Sequence, residues 1–391
     1  MNTIGFPTKE ELKSRIGRLH SELIKSGGDW DAALIVGRVN QFYLTGTMQD
    51  GVFVLRRDGA FCHYVYKSYE RAVMESPLEE IYDMSSFREI SGMFHETPKQ
   101  ALIETDVITY SLAERLRSYV GFTETGTLDS AIMSVRAVKS DYEIECMRYA
   151  GVMHRKLHEE VVPSLLREGI SEAELAAEMI REMIINLDYH GIARFSRFQT
   201  ELVVGQMGFS ENSLYPTSFD GPGGMLGLSP AVPMVGSRER KLRRGDLIFL
   251  DYASGYNGYF TDRTTVYMFG AEPDSAVAAA HRRCLELQKA TAALLLPGNT
   301  PESIYAEITA GGFQNRNSKF LGHGVGLHID EFPVIARGFS EPLVPGMALA
   351  IEPKAAVEGV GLVGDEDTYL VRSDGAAECL TQGEKDIIVV K

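Results

Sequence analysis

Four carboxylates and one imidazole occupy positions from which they could act together. Asp251 follows the apolar run Leu247-Ile-Phe-Leu250, so it points inward or ends a buried strand. An unpaired buried carboxylate is very costly, so Asp251 needs a partner. Gly255-Tyr-Asn-Gly258 is a hairpin turn, and the returning strand carries Asp262. His323 lies in Phe320-Leu-Gly-His-Gly-Val-Gly326, where backbone can approach closely. Glu352 ends the run Ala348-Leu-Ala-Ile351, and Pro353 stops its ladder pairing. Glu366 sits in the acidic cluster that opens the strand Asp365-Glu-Asp-Thr-Tyr-Leu-Val371. Taken singly, Asp262 could pair with Arg263 or cap a turn, and a lone histidine is usually structural. Taken together, four strand-edge acids and a histidine fit a site for two hard-to-borderline divalent ions. Bridging carboxylates let two such ions sit about 3.5–4 Å apart and share one hydroxide nucleophile.

These residues need a frame. The first third of the chain alternates helix and strand signals. Residues 10–25 have an amphipathic helical pattern, and Ala32-Ala-Leu-Ile-Val36 is a short apolar run. Val52–Leu55 and Phe61–Tyr66 flank the turn Arg57-Asp-Gly59, a hairpin signal. Residues 110–118 are again helical in pattern. A boundary falls between Asp129 and Ser140, giving a small α/β domain over 1–135 and a second domain over 136–391. The second opens with a long helix from Tyr142 to about Val161, with Ile144, Met147, Ala150 and Leu157 at helical spacing. It then shows a faint repeat: Ser171 and Glu174 form a capping-box pattern, and Thr300-Pro301 reads as an N-cap with proline at the first helical position. Each helix is followed by a Gly-rich strand region, as two facing halves would require.

The residues also match a family. The chain resembles the creatinase/prolidase/aminopeptidase P superfamily, the metallopeptidases of family M24 with the pita-bread fold. Leu250-Asp-Tyr-Ala-Ser-Gly-Tyr-Asn-Gly-Tyr-Phe-Thr-Asp262-Arg-Thr264, His323-Gly-Val-Gly-Leu327, Ile351-Glu-Pro353 and Glu366-Asp-Thr368 carry the resemblance. Phe42-Tyr-Leu-Thr-Gly46 and Arg136-Ala-Val-Lys-Ser-Asp-Tyr-Glu-Ile144 extend it over nearly the whole chain. It implies an α/β fold in which a creatinase-like N-terminal domain precedes a pita-bread catalytic domain with an internal pseudo-twofold repeat. It further implies a dinuclear hydrolase that cleaves the C–N bond of an Xaa-Pro peptide through a metal-bridging hydroxide. Carried over by position, Asp251 would chelate one ion, Asp262 and Glu366 would bridge two, and His323 and Glu352 would hold the other. Glu352 would also handle the proton of the attacking water. The expected cofactors are two divalent ions, Mn²⁺, Co²⁺, Zn²⁺ or Fe²⁺, and the expected assembly is a homodimer.

Several positions depart from the family. A histidine seven residues after the metal-binding one is expected at 330, where this chain has Asp330. Another, four residues before it, is Lys319. No histidine occurs between His190 and His281, although the family places one upstream of the first metal Asp. The arginine expected two residues before the last metal Glu is Gly364. Asp330 and His328 are therefore the candidate replacements. An ionised Asp330 only accepts hydrogen bonds, so it would favour a substrate with a cationic or N–H group near the metals and make ordinary Xaa-Pro dipeptides poor substrates. These departures keep two other readings open: a metal-dependent non-peptidase hydrolase or lyase acting on a small zwitterion, and a non-catalytic pita-bread binding protein.

Composition excludes other classes. The 391 residues are 44% hydrophobic and 24% charged, which is globular rather than disordered. The net charge of −15 argues against a nucleic-acid face and an anionic membrane surface. Cys62, Cys146, Cys284 and Cys379 are scattered without a CxxC pair, as in a reducing compartment. Met1–Leu23 lacks the apolar core of a secretory leader, and no apolar run could span a membrane, so a cytoplasmic setting is expected. Gly359-Val-Gly-Leu-Val-Gly364 is formally GxGxxG, but a strand pattern follows it where a dinucleotide site needs a helix. Gly221-Pro-Gly-Gly-Met-Leu-Gly227 lacks the Lys-Ser/Thr of a phosphate loop and is expected as a rim over the active site. No GxSxG elbow is present, so a serine hydrolase is unsupported.

Overall fold

The structure, a computed structural model, describes residues 4–391 apart from 192, 196–199, 203–204, 218–220 and 317; of 193–195 and 200–202 it describes the backbone alone. The chain divides into two units, Met1–Arg136 and Ala137–Lys391.

In the first unit six strands form one mixed sheet. They are β1 Ala32–Ile35, β2 Gly51–Arg56, β3 Phe61–Val65, β4 Ile81–Asp83, β5 Gln100–Ile103 and β6 Glu124–Thr127, in the order β4-β3-β2-β1-β5-β6. The expected hairpin is β2–β3, with Leu55 opposite Phe61. Phe42-Tyr-Leu-Thr45 lies in a helix, Arg38–Thr45, which Gly46 ends with a left-handed φ of 79°. A buried carboxylate that the sequence did not single out fixes this region. Glu104 accepts hydrogen bonds from the backbone of Val36 and Gly37 and from Asn40 Nδ2. The approach is so close that a Cβ at Gly37 would stand 2.6 Å from a Glu104 oxygen.

The second unit opens with the helix Asp141–Lys156, capped by a Ser140/Glu143 capping box. The helical path continues through a wide turn, Leu157–Val161, to Leu165. The caps read from sequence at Ser171 and Thr300 both form, on the helices Glu172–Asn186 and Pro301–Thr309. The strands are β7 Ala193–Phe195, β8 Thr200–Leu202, β9 Gln206–Phe209, β10 Leu247–Tyr256, β11 Tyr259–Phe269, β12 Phe320–Gly324, β13 Glu331–Ala336, β14 Ala348–Ile351, β15 Lys354–Val357, β16 Gly361–Gly364, β17 Asp367–Leu370, β18 Glu378–Cys379 and β19 Ile388–Val390. They build two principal sheets, β19-β11-β10-β9 and β13-β12-β14-β17-β18, with β15–β16 and β7–β8 as separate pairs. Helices accompany both sheets, which gives the pita-bread arrangement of two helix-backed halves.

The hairpin β10–β11 explains where the chemistry sits. Asn257 and Gly258 adopt positive φ at its tip, as a two-residue hairpin turn requires. Alternate residues share a face, so Leu247, Phe249, Val266 and Met268 point one way and pack with Leu362 and Val363. Farther along the same face come Asp251, Ala253, Asp262 and Thr264. One surface is thus apolar at one end and acidic at the other. Of the two readings of Asp251, the inward one holds: the residue is buried, and β10 continues five residues to Tyr256. It can sit mid-strand because a cation meets it there. The GxGxxG stretch lies in the β15–β16 hairpin, not at a helix start.

Candidate metal centre

The five residues that the sequence singled out as ligands converge. β10 and β11 present Asp251 and Asp262, β12 presents His323, and Glu352 and Glu366 stand just beyond β14 and just before β17. The two sheets are tied beside them: Thr264 N donates to Glu366 O at 3.3 Å, and Asp262 N donates to Thr368 Oγ1 at 2.8 Å. Among the described residues two donor sets have ligand atoms within 4.8 Å of one another: Asp262, His323 and Glu366, and Asp251, Glu352 and Glu366. All of these residues are buried. Asp262 is not paired with the neighbouring guanidinium, which points the other way toward Glu159 and the carbonyl of Glu384.

A sixth residue, which the sequence reading missed, stands among them. The side chain of Lys354 is wholly buried, and its Nζ lies 2.8 Å from Asp251 Oδ2, 2.7 Å from Glu352 Oε2 and 2.8 Å from Glu366 Oε2. Its backbone N–H donates to Asn315 Oδ1, while Asn315 Nδ2 donates to the carbonyl of Glu352. Gly364 is its cross-strand partner, and a Cβ there would come within 2.7 Å of Lys354 Cγ. The glycine found where an arginine was expected therefore makes room for the lysine stem.

His323 is aimed by its far nitrogen. Nδ1 lies 3.1 Å from the carbonyl of Gly324 and 3.5 Å from Asp330 Oδ1, and Nε2 faces Glu352 Oε1 at 3.6 Å and Glu366 Oε1 at 3.9 Å. An N–H at Nδ1 leaves the Nε2 lone pair toward the acids, the tautomer a metal ligand needs. Asp330 thus stands behind the histidine. The turn that carries it is held by Glu331, which accepts from His328 N and pairs at 3.0 Å with the buried Lys139 Nζ. His328 contributes its backbone to this turn, and its ring is half-buried. Lys319 is exposed. The glycine stretch 221–227 lies against the partner of Asp251 in the β9–β10 register: a Cβ at Gly223 would meet Gln206 Oε1.

Burial raises the Asp251 carboxyl, with Lys354 opposing and Glu366 adding to the rise. Burial raises Asp262 too, and the charges of Glu366 and Asp251 outweigh the opposing Lys354, so it stands well above the usual carboxylate range. Burial likewise raises Glu352 and Glu366 against the pull of Lys354. Burial would lower Lys354, but its three carboxylates outweigh that and hold it well above the ordinary lysine value. His323 is raised, since Asp330, Glu352 and Glu366 overcome its burial.

Donor chemistry and satisfaction together test the fit to a metal ion. Glu366 Oε1 is buried and has no hydrogen-bond partner, and it faces His323 Nε2. An imidazole and two carboxylates around an orphaned oxygen suit a borderline divalent ion. The three oxygens of the other set already receive the lysine ammonium.

Residues 145–373 match metallopeptidase family M24, and residues 15–138 match the creatinase/prolidase N-terminal domain. The chain is 28% identical over 364 residues to an Xaa-Pro dipeptidase of Pyrococcus furiosus, covering 92% of this chain and 95% of that protein. The solved prolidase of Pyrococcus horikoshii superposes with a TM-score of 0.78 at 24% identity, over 96% of this chain and all of that one. The prolidase structure from Pyrococcus furiosus gives 0.73 at 25% identity, over 94% and 99%. M24 membership implies divalent metal cofactors, and the donor sets described above could hold metal. The chain belongs to metallopeptidase family M24, with a creatinase/prolidase N-terminal domain preceding its pita-bread domain.

Proposed function

We propose that this chain is a divalent-metal-dependent hydrolase that cleaves the C–N bond of Xaa-Pro dipeptides or short Xaa-Pro peptides. The observation that carries the reading is the buried convergence of Asp262, His323 and Glu366 in an M24 chain that matches an Xaa-Pro dipeptidase nearly end to end. A divalent ion held there, of the Mn²⁺, Co²⁺, Zn²⁺ or Fe²⁺ class, supplies Lewis-acid polarisation and a water of lowered pKa. The chain's own residues supply the rest. Lys354 holds Glu352 by Oε2, and Glu352 Oε1 is left toward His323. A buried carboxylate of raised pKa in that place can take a proton and return it to a leaving nitrogen. Asp330, 3.5 Å from His323 Nδ1, can steady that ring. The resemblance to Xaa-Pro dipeptidases favours a peptide over a small zwitterion, and the assembled site favours turnover over binding alone.

The test is hydrolysis of an Xaa-Pro dipeptide panel by chelator-stripped protein, before and after addition of Mn²⁺ or Co²⁺. Metal-restored cleavage, abolished in Glu352→Gln, is the expected outcome. Cleavage that is indifferent to metal, or the absence of any Xaa-Pro cleavage, contradicts the proposal. A homodimer belongs to the same reading and is checked by the particle mass in solution. Four free thiols, three of them buried, support a reducing cytoplasmic setting.

A further inference from the structure

Lys354 Nζ has three N–H donors and three carboxylate oxygens at 2.7–2.8 Å, each from a different acid. Its hydrogen-bonding capacity is therefore filled by one donor set. The side chain has no exposed surface, its stem crosses Gly364, and the ring centroid of Phe249 lies 5.8 Å from the ammonium. It is a built-in cation.

Glu366 divides its two oxygens. Oε2 receives Lys354 at 2.8 Å and Thr264 Oγ1 at 2.9 Å. Oε1 receives no hydrogen bond and faces His323. A divalent ion needs oxygen ligands at about 2.0–2.2 Å, closer than an ammonium holds them. To enter the Asp251–Glu352–Glu366 set, such an ion would have to expel the ammonium or share a low-dielectric pocket with it, and like charges there repel strongly. Among the described residues no such cation meets Asp262 or Glu366 Oε1, the oxygens that face His323's side of the centre.

We propose that the Lys354 ammonium takes the place of one cation in this centre. Glu366 then bridges a covalently tethered cation and a single exchangeable divalent ion, held by Asp262, His323 and Glu366 Oε1. The inference rests on the metallohydrolase reading and changes its stoichiometry from two ions to one. Four carboxylates exceed one ammonium in charge, and one divalent ion brings the centre to within one unit of neutrality. The tethered cation also fixes Asp251 and Glu352 before any ion arrives.

The experiment is metal stoichiometry on the full-length protein, by elemental analysis and by titration of chelator-stripped protein with Mn²⁺. Wild type should bind one Mn²⁺ per chain and show the spin-resonance spectrum of an isolated ion. Lys354→Met should bind two, and the second should be lost again in Lys354→Met/Asp251→Asn. Two exchange-coupled Mn²⁺ in wild type overturn the inference and leave the metallohydrolase reading standing. One ion in a folded Lys354→Met also overturns it. No bound ion in wild type overturns both. The wild-type result stands alone should Lys354→Met not fold.

Discussion

Two donor triangles share Glu366 and differ in what meets them. In Asp251–Glu352–Glu366 each acid touches the Lys354 ammonium; in Asp262–His323–Glu366 the ammonium reaches only the far oxygen of Glu366, and among the described residues no lysine or arginine side chain meets Asp262 or Glu366 Oε1. Both are buried to the same degree. Burial and neighbouring carboxylates raise both Asp251 and Asp262 against the Lys354 charge, but of the two only Asp251 accepts a hydrogen bond from the ammonium. Burial alone therefore does not define a metal site. An acid cluster whose charge is met by a side chain is complete, and one whose charge is unmet calls for an ion from solution.

The largest effect should come from the shared residue. Glu366→Gln weakens both triangles, and we expect it to reduce both turnover and bound metal to background. Elemental analysis and the dipeptide assay read the two losses separately. Metal retained at the wild-type level would remove Glu366 from the open triangle.

Next comes the tethered cation. Lys354→Met leaves three acids facing one another, and breaking a buried ion pair on one side costs about 3–5 kcal/mol. The metal-free variant should unfold at correspondingly lower denaturant, and Mn²⁺ should recover most of the loss. Stability equal to wild type without metal would show that the ammonium is not what balances the triangle.

Asp330→Asn should act more weakly and only on the open triangle. Removing the partner of a ligating histidine typically costs 10–100-fold in metal affinity. We expect a shift of that size in the Mn²⁺ titration, with KM for the dipeptide little changed at saturating metal. A raised KM with unchanged metal affinity would return Asp330 to direct substrate contact.

The gentlest test is pH. Asp262 has its folded pKa raised, so the folded protein holds that proton more tightly than the unfolded chain. Its contribution to stability is full below the unfolded value of 3.8 and is lost as pH rises through the raised folded value. The metal-free protein should therefore lose stability as pH rises above the ordinary carboxylate range. Stabilisation by added Mn²⁺ should grow over the same interval, because the ion replaces the proton. Denaturant midpoints with and without Mn²⁺ across that range measure both slopes; parallel slopes would contradict an open triangle at Asp262.

Much of this was legible in the sequence, because strand alternation and hairpin length are local. Asp251 and Asp262 had to share a face once Asn257-Gly258 closed the turn. The capping patterns at Ser171 and Thr300 were equally local and formed as read. Lys354 falls just past the motif Ile351-Glu-Pro353 and so escapes it, although Glu352 and Lys354 stand two residues apart, the spacing that puts side chains on one face of an extended chain. What no local pattern shows is that Gly364, on the paired strand, clears the path for the lysine. The sequence leads one to expect Asp330 toward the substrate, and the structure sets it 3.5 Å from His323 Nδ1. Its place behind His323 depends on the turn that Lys139 and Glu331 hold from far apart in the chain.

The most direct test is anomalous scattering at the manganese edge from crystals of wild-type protein soaked in Mn²⁺. One peak per chain is expected, among Asp262, His323 and Glu366, with Lys354 Nζ still in contact with Asp251 and Glu352. A second peak among Asp251, Glu352 and Glu366, with Lys354 displaced, would contradict it.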